Sequence, residues 1–143
     1  MRALVQRVSS ASVEVDGEMI AQIGRGYLVL VGFTHEDTEE DCIRLAKKIG
    51  LLRVFSDEND KINLSLEDIS GSILCVSQFT LYADCRKGHR PSFTQAMEPG
   101  RAEQLYGFFC TELDKYAPTQ KGIFGADMKV TLCNDGPFTV MLE

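Results

Sequence analysis

Tyr27-Leu28-Val29-Leu30-Val31-Gly32-Phe33 is a continuous apolar run with glycines at its borders. A run of this length, rich in Val and Leu, predicts a strand at the centre of a sheet, covered on both faces. Working outward, residues 2–8 and 11–15 read as two short strands, the second alternating Val13 and Val15 with Ser12 and Glu14. Asp16-Gly17 is a strong hairpin signal, and residues 19–23 return as the partner strand. On the other side, Thr38-Glu39-Glu40-Asp41 predicts a helix start, with Thr38 as cap and the acids at the positive end of the dipole. Cys42, Leu45, Ala46, Ile49 and Leu52 then recur at helical spacing.

Ser56-Asp57-Glu58-Asn59-Asp60 lacks the spaced carboxylates and terminal Glu of a calcium loop and reads as a solvated turn. Residues 72–77 form a strand pattern, 85–91 a loop, and Pro99 opens a second helix. Its buried stripe is Ala102, Leu105, Tyr106, Phe109, Leu113 and Tyr116, aromatics best read as core. Ala126, Met128, Val130 and Leu132 alternate with polar residues as a half-buried strand, and 138–142 is the last one. Together these elements predict one α+β domain over 1–143, a mixed and mainly antiparallel sheet with two main helices.

Composition narrows the function. The 44% hydrophobic and 25% charged residues suit a soluble globular protein. No apolar run approaches the ~18 residues of a membrane span, and the N-terminus does not read as a signal peptide, so the expectation is a cytoplasmic protein. Five widely spaced cysteines argue for reduced, mainly buried thiols. With only His35 and His89 and no Cys-x-x-Cys, a metal site is not expected. Nucleotide-binding glycine patterns are also absent, so no cofactor is expected. The net charge of −6 argues against clamping long nucleic acid, DNA included. Arg86, Lys87, His89, Arg90 and Arg101 nevertheless supply a local basic patch by proximity, enough to take the end of an RNA.

The candidate chemistry sits in Ser77-Gln78-Phe79-Thr80-Leu81, which places two hydroxyls and an amide, without charge, at a strand end. A Ser or Thr nucleophile needs an adjacent base, and no triad motif or Gly-x-Ser-x-Gly elbow is present. On spacing alone Ser77 and Thr80 read rather as strand ends that satisfy local backbone groups. The second unusual segment is Asn134-Asp135-Gly136-Pro137, a Gly-Pro pair between two strand-like runs.

These two motifs, with Met1-Arg2-Ala3-Leu4-Val5-Gln6-Arg7-Val8 at the start, closely resemble the D-aminoacyl-tRNA deacylases over essentially the whole chain. The resemblance implies a homodimer that hydrolyses D-amino acids from the 3′ acceptor end of tRNA and rejects L-amino acids. It implies that Ser77, Gln78, Phe79 and Thr80 line the aminoacyl pocket, with the Phe79 N–H facing the developing oxyanion. Gln78 and Thr80 would hold the terminal ribose and ester. Phe124 and Met128 would shape the adenosine pocket, and Lys87 to Phe93 would be a basic loop. Gly136-Pro137, expected as a cis bond, would enter the partner's active site as a steric wall, with Arg7 holding the segment. The family has been read with Thr as nucleophile and with the RNA 2′-hydroxyl as helper, and the missing base favours the second. A binding module of the same fold without hydrolysis is the alternative from another class. D- and L-Tyr-tRNA turnover separates it from the enzyme, and a nitrophenyl ester tests a serine esterase.

Overall fold

The computed structural model describes all residues 1–143. The elements follow in the order β1 (Arg2–Val15), β2 (Glu18–Ile23), β3 (Gly26–Gly32), α1 (Glu39–Gly50), β4 (Phe55–Ser56) and β5 (Ile62–Leu64). After these come β6 (Ser72–Ser77), a 3₁₀ turn at Phe79–Tyr82, α2 (Pro99–Asp114), β7 (Thr119–Lys121) and β8 (Lys129–Leu142). The apolar run is β3, paired antiparallel with β1 and parallel with β6. The main sheet runs β2-β1-β3-β6-β7, with β8 on the remaining edge of β1. The β3–β6 and β6–β7 pairs are parallel, and the connections between them carry α1 and α2 respectively. The sheet curls until the Gln22 N–H donates to Gln120 Oε1 at 2.8 Å.

Two cores result. The larger lies between α1, α2 and one face of the sheet, and includes Tyr27, Val29, Leu45, Ile49, Leu105 and Phe109. A smaller one, with Val8, Val13, Ile23, Leu28, Leu74 and Val76, fills the inside of the curl. This double coverage is why β3 shows no polar alternation. Both helices start where their caps predict. The Asp41 carboxylate accepts from the Thr38 N–H and hydroxyl, and the Glu98 carboxylate accepts from the Gly100 and Arg101 N–H groups ahead of α2.

Several boundaries differ from the sequence expectation. Residues 2–15 form one strand, because Ser9 and Ser10 interrupt the apolar pattern while facing solvent and leave the backbone extended. The expected strand from Ala126 begins at Lys129, and it continues through Gly136-Pro137 rather than breaking. It does so by bulging: Val8 pairs with Asn134 and Gln6 with Thr139, so Arg7 alone faces residues 135–138. The Asn134 side-chain amide spans the bulge, donating to Arg7 O and Phe138 O, both at 2.9 Å. The Gly136–Pro137 peptide bond is cis. Cys42, Cys75 and Cys110 are buried, Cys85 and Cys133 exposed, and all five are free thiols. No helix is long and apolar enough to cross a membrane.

Candidate active site

The site grows from the ends of two parallel strands. Val31 and Ser77 pair at the ends of β3 and β6, and the Gln78 N–H donates to Val31 O at 2.7 Å. The chain then turns sharply at 79–82, closed by Leu81 N–H to Gln78 O at 3.2 Å. Gly32 permits this approach: a Cβ there would lie 2.7 Å from Gln78 O. The i→i+3 bonds of a 3₁₀ turn leave its first amides without a partner in the turn, here those of Phe79 and Thr80.

A cleft of about 610 Å³ opens beside this turn. Ser77, Gln78 and Phe79 line one side and Phe124 and Met128 another, so the fold brings these five predicted residues together. Phe79 meets Phe93 edge to face, with centroids 5.0 Å apart, at the exposed mouth. Phe124 leans on Tyr106 at 5.9 Å, and the Tyr106 hydroxyl donates to Cys75 O at 2.8 Å beneath it. Burial pushes the Tyr106 phenol well above its usual range, so it is a permanent donor in this role. Glu98 is the one ionisable residue of the lining, and its carboxylate already caps α2. Neither histidine lines the cleft.

Thr80 is not part of the lining; it is exposed, and its hydroxyl accepts from the Gln78 side-chain amide. Arg7, Gly136 and Pro137 also lie outside the lining of the cleft in their own chain. They form a second group. Arg7 Nε donates to Asp135 O at 2.9 Å, Nη1 donates to Val54 O at 2.6 Å, and the guanidinium stands over the Phe138 ring. Gly136 has φ +133, and a Cβ there would meet Arg7 Nη2 at 2.7 Å. Gly136 and Pro137 are both exposed.

The expected basic patch is weaker than its sequence suggests. Arg86 is tied to Asp84 at 2.7 Å, and its hydrogen bonds draw the Asp84 carboxyl down to about 2. Arg101 Nη2 donates to both Glu39 carboxylate oxygens, at 3.0 and 2.9 Å. Lys87 and Arg90 make no ion pair. No cluster of three or more His, Cys, Asp or Glu side chains could hold a metal ion.

Residues 4–143 match the family model described as D-Tyr-tRNA(Tyr) deacylase. The chain belongs to this deacylase family. A D-aminoacyl-tRNA deacylase of Bacillus cytotoxicus is 53% identical across 100% of this chain and 99% of its own length. A solved structure of a protein called c-Myc DNA Unwinding Element Binding Protein is 47% identical with a TM-score of 0.94, covering 100% of this chain and 98% of its own. The structure of a probable eukaryotic D-amino acid tRNA deacylase shares the fold at a TM-score of 0.84 and 21% identity, over 99% of this chain and 97% of that one.

For this deacylase-family chain, sequence reading missed the wall made by Phe93, Met97, Pro99 and Ala102. Phe93 was visible as an aromatic inside a polar loop. Its placement depends on bridges from Asp84 to Ser92 and from Thr34 to Ala96, which no local pattern announces. Val130, expected on the buried side of a half-buried strand, also reaches the cleft.

Proposed function

We propose that this cleft hydrolyses the ester between a D-amino acid and the 3′-terminal ribose of tRNA. The observation that carries this reading is a cleft lined by aromatic, aliphatic and amide groups, whose only ionisable residue is committed to a helix cap. Such a site has little acid–base chemistry of its own and suits a substrate that brings its own. Water adds to the ester carbonyl carbon, and the resulting oxyanion is held by the Phe79 N–H. The vicinal 2′-hydroxyl takes a proton from the attacking water and passes its own to the departing 3′-oxygen. The tetrahedral centre then collapses to free amino acid and tRNA. Gln78 positions the ribose and ester with its amide braced by the Thr80 hydroxyl, Ser77 borders the aminoacyl end, and Phe124 and Met128 receive the adenine. An aromatic stacking contact of this kind is worth ~1–3 kcal/mol per base.

Chirality is set by Gly136-Pro137 of a second copy. The segment projects on a bulge, is gripped by Arg7, and lies outside its own chain's cleft, which supports its use across a homodimer. Backbone placed against Cα excludes an L side chain and leaves D-amino acids and glycine room, whatever the side chain. This reading places the protein in the cytoplasm with charged tRNAs. It also makes RNA the substrate, although one relative is named for a DNA element.

The test is hydrolysis of D-Tyr-, L-Tyr- and glycyl-tRNA, with D-Tyr-tRNA ending in 2′-deoxyadenosine alongside. Fast D-Tyr and glycyl release, little L-Tyr release and near-loss with the deoxy substrate are expected. Thr80→Ala should slow turnover without abolishing it. A normal deoxy rate with a dead Thr80→Ala variant would make Thr80 the nucleophile.

A further inference from the structure

Around the C-terminal end of α1 lies a second depression, of about 620 Å³, whose charge is opposite to that of the whole chain. Arg44, Lys47, Lys48 and Arg53 line it, with Glu143 as its one acid. Lys47 and Lys48 are exposed and make no ion pair. Arg53 is fixed by a neutral partner, donating from Nε to Asn63 O at 2.9 Å, so its charge stays available. Lysines in the last turn of a helix also complement its dipole. That role covers Lys47 and Lys48 but not Arg53, which lies beyond the helix end; Arg44, a turn earlier, is paired with Asp41 at 3.4 Å.

Position adds to charge. Arg44 Nη1 donates to Glu143 O at 3.2 Å, Arg2 Nε donates to Glu143 Oε1 at 3.0 Å, and Arg2 Nη1 donates to Leu81 O at 2.8 Å. Leu81 belongs to the same turn as Phe79. Arg2, paired with Glu143 of the groove, therefore ties the groove to the turn that borders the cleft.

We propose that this groove holds backbone phosphates of the RNA whose 3′ end occupies the cleft. The inference rests on the deacylase reading for the identity of the polyanion. An RNA fixed by its last nucleotide must lay its next phosphates close by, and Lys47, Lys48 and Arg53 are groove cations that make no ion pair. Arg86 and Arg101 are neutralised by Asp84 and Glu39, so the 86–101 loop keeps only Lys87 and Arg90 as unpaired cations, and the groove adds Lys47, Lys48 and Arg53 to the electrostatic attraction.

The experiment measures binding of an uncharged acceptor-stem RNA with a single-stranded 3′ end, across a salt series, to the full chain and to Lys47→Glu/Lys48→Glu. Lys47→Gln/Lys48→Gln separates lost attraction from added repulsion, and melting curves confirm that these exposed changes leave the fold intact. Expected are at least tenfold weaker binding of the Glu variant near 0.1 M salt and a salt slope smaller by roughly one to two. The KM for D-Tyr-tRNA should rise with kcat unchanged, while hydrolysis of D-tyrosyl-adenosine stays the same. Because binding is read with uncharged RNA, it decides the groove's role independently of the chemistry assigned to the cleft. Unchanged affinity and slope would overturn the proposal. So would preference for a DNA duplex of equal length, or binding to phosphatidylserine vesicles in place of RNA.

Discussion

Arg7 and Phe138 are locked together across the β1–β8 bulge, the guanidinium carbon 5.1 Å from the ring centroid. The same guanidinium holds Asp135 O and Val54 O, so one side chain fastens the bulge to the segment before β4. Arg7→Ala removes two charge-assisted bonds and the ring contact, with an expected loss of about 2 kcal/mol in a urea titration. Arg7→Lys should recover less than half, since an ammonium lacks the planar fork that reaches both carbonyls. If the bulge sets chirality, Arg7→Ala should also raise L-Tyr-tRNA hydrolysis relative to D-Tyr-tRNA.

Gly136→Ala is expected to be costly for a different reason. The new methyl would press on Arg7 Nη2, a flexible group that can yield. The φ of +133 cannot be relieved so easily, because an L side chain rarely adopts it. A loss of about 1–3 kcal/mol is expected, read as a lower melting temperature.

Tyr106→Phe isolates a single hydrogen bond behind the cleft. Cys75 O keeps its second donor, the Gly122 N–H at 3.1 Å, so no bare acceptor is left. The expected cost is therefore only ~1 kcal/mol, with the support under Phe124 retained. Tyr106→Ala also deletes the ring, and should cost ~3–5 kcal/mol and weaken adenosine binding.

Asp84 gives a pH prediction. Its folded pKa lies near 2, below the ~3.9 of an unfolded chain, through its hydrogen bonds with Arg86. A depressed carboxyl stabilises fully above the unfolded value and loses that contribution as pH falls through the folded one. The carboxyl carbon resonance of Asp84 should titrate near 2, and Arg86→Gln should move it up towards 4. Amides of the 84–92 segment in the native protein should hold their shifts down to about pH 3 and change as the pH falls through about 2.

Chelation makes a separate prediction, from the residue set. With no cluster of three His, Cys, Asp or Glu, exhaustive EDTA treatment should leave D-Tyr-tRNA hydrolysis unchanged. Activity lost to EDTA and restored by zinc would falsify this.

Most of the secondary structure was legible because each element announced itself locally. The run at 27–33, the Thr38 and Pro99 helix starts and the Asp16-Gly17 hairpin are decided by neighbours in sequence. The short β7 at Thr119–Lys121 was not legible, since its strand character comes only from pairing with β6. The same division holds in the site. Ser77 to Phe79 stood out as a motif, whereas Glu98 and Met97 are placed by the Phe33 carbonyl, which receives the Met97 N–H at 3.0 Å. Neutralisation of Arg101 was likewise invisible, because Glu39 lies 62 positions from its partner.

One strand, β8, touches every region discussed: Val130 reaches the cleft, Gly136 crowns the bulge, and Leu142 lines the basic groove. Its side chains alternate between two faces, so a one-residue insertion between 129 and 142 would turn all those beyond it to the wrong side. Even a two-residue insertion, which restores the faces, would shift the bulge against Arg7. Length variation among relatives should therefore gather in the exposed 58–61 turn, while β8 keeps its count, acting as the molecule's gauge rod.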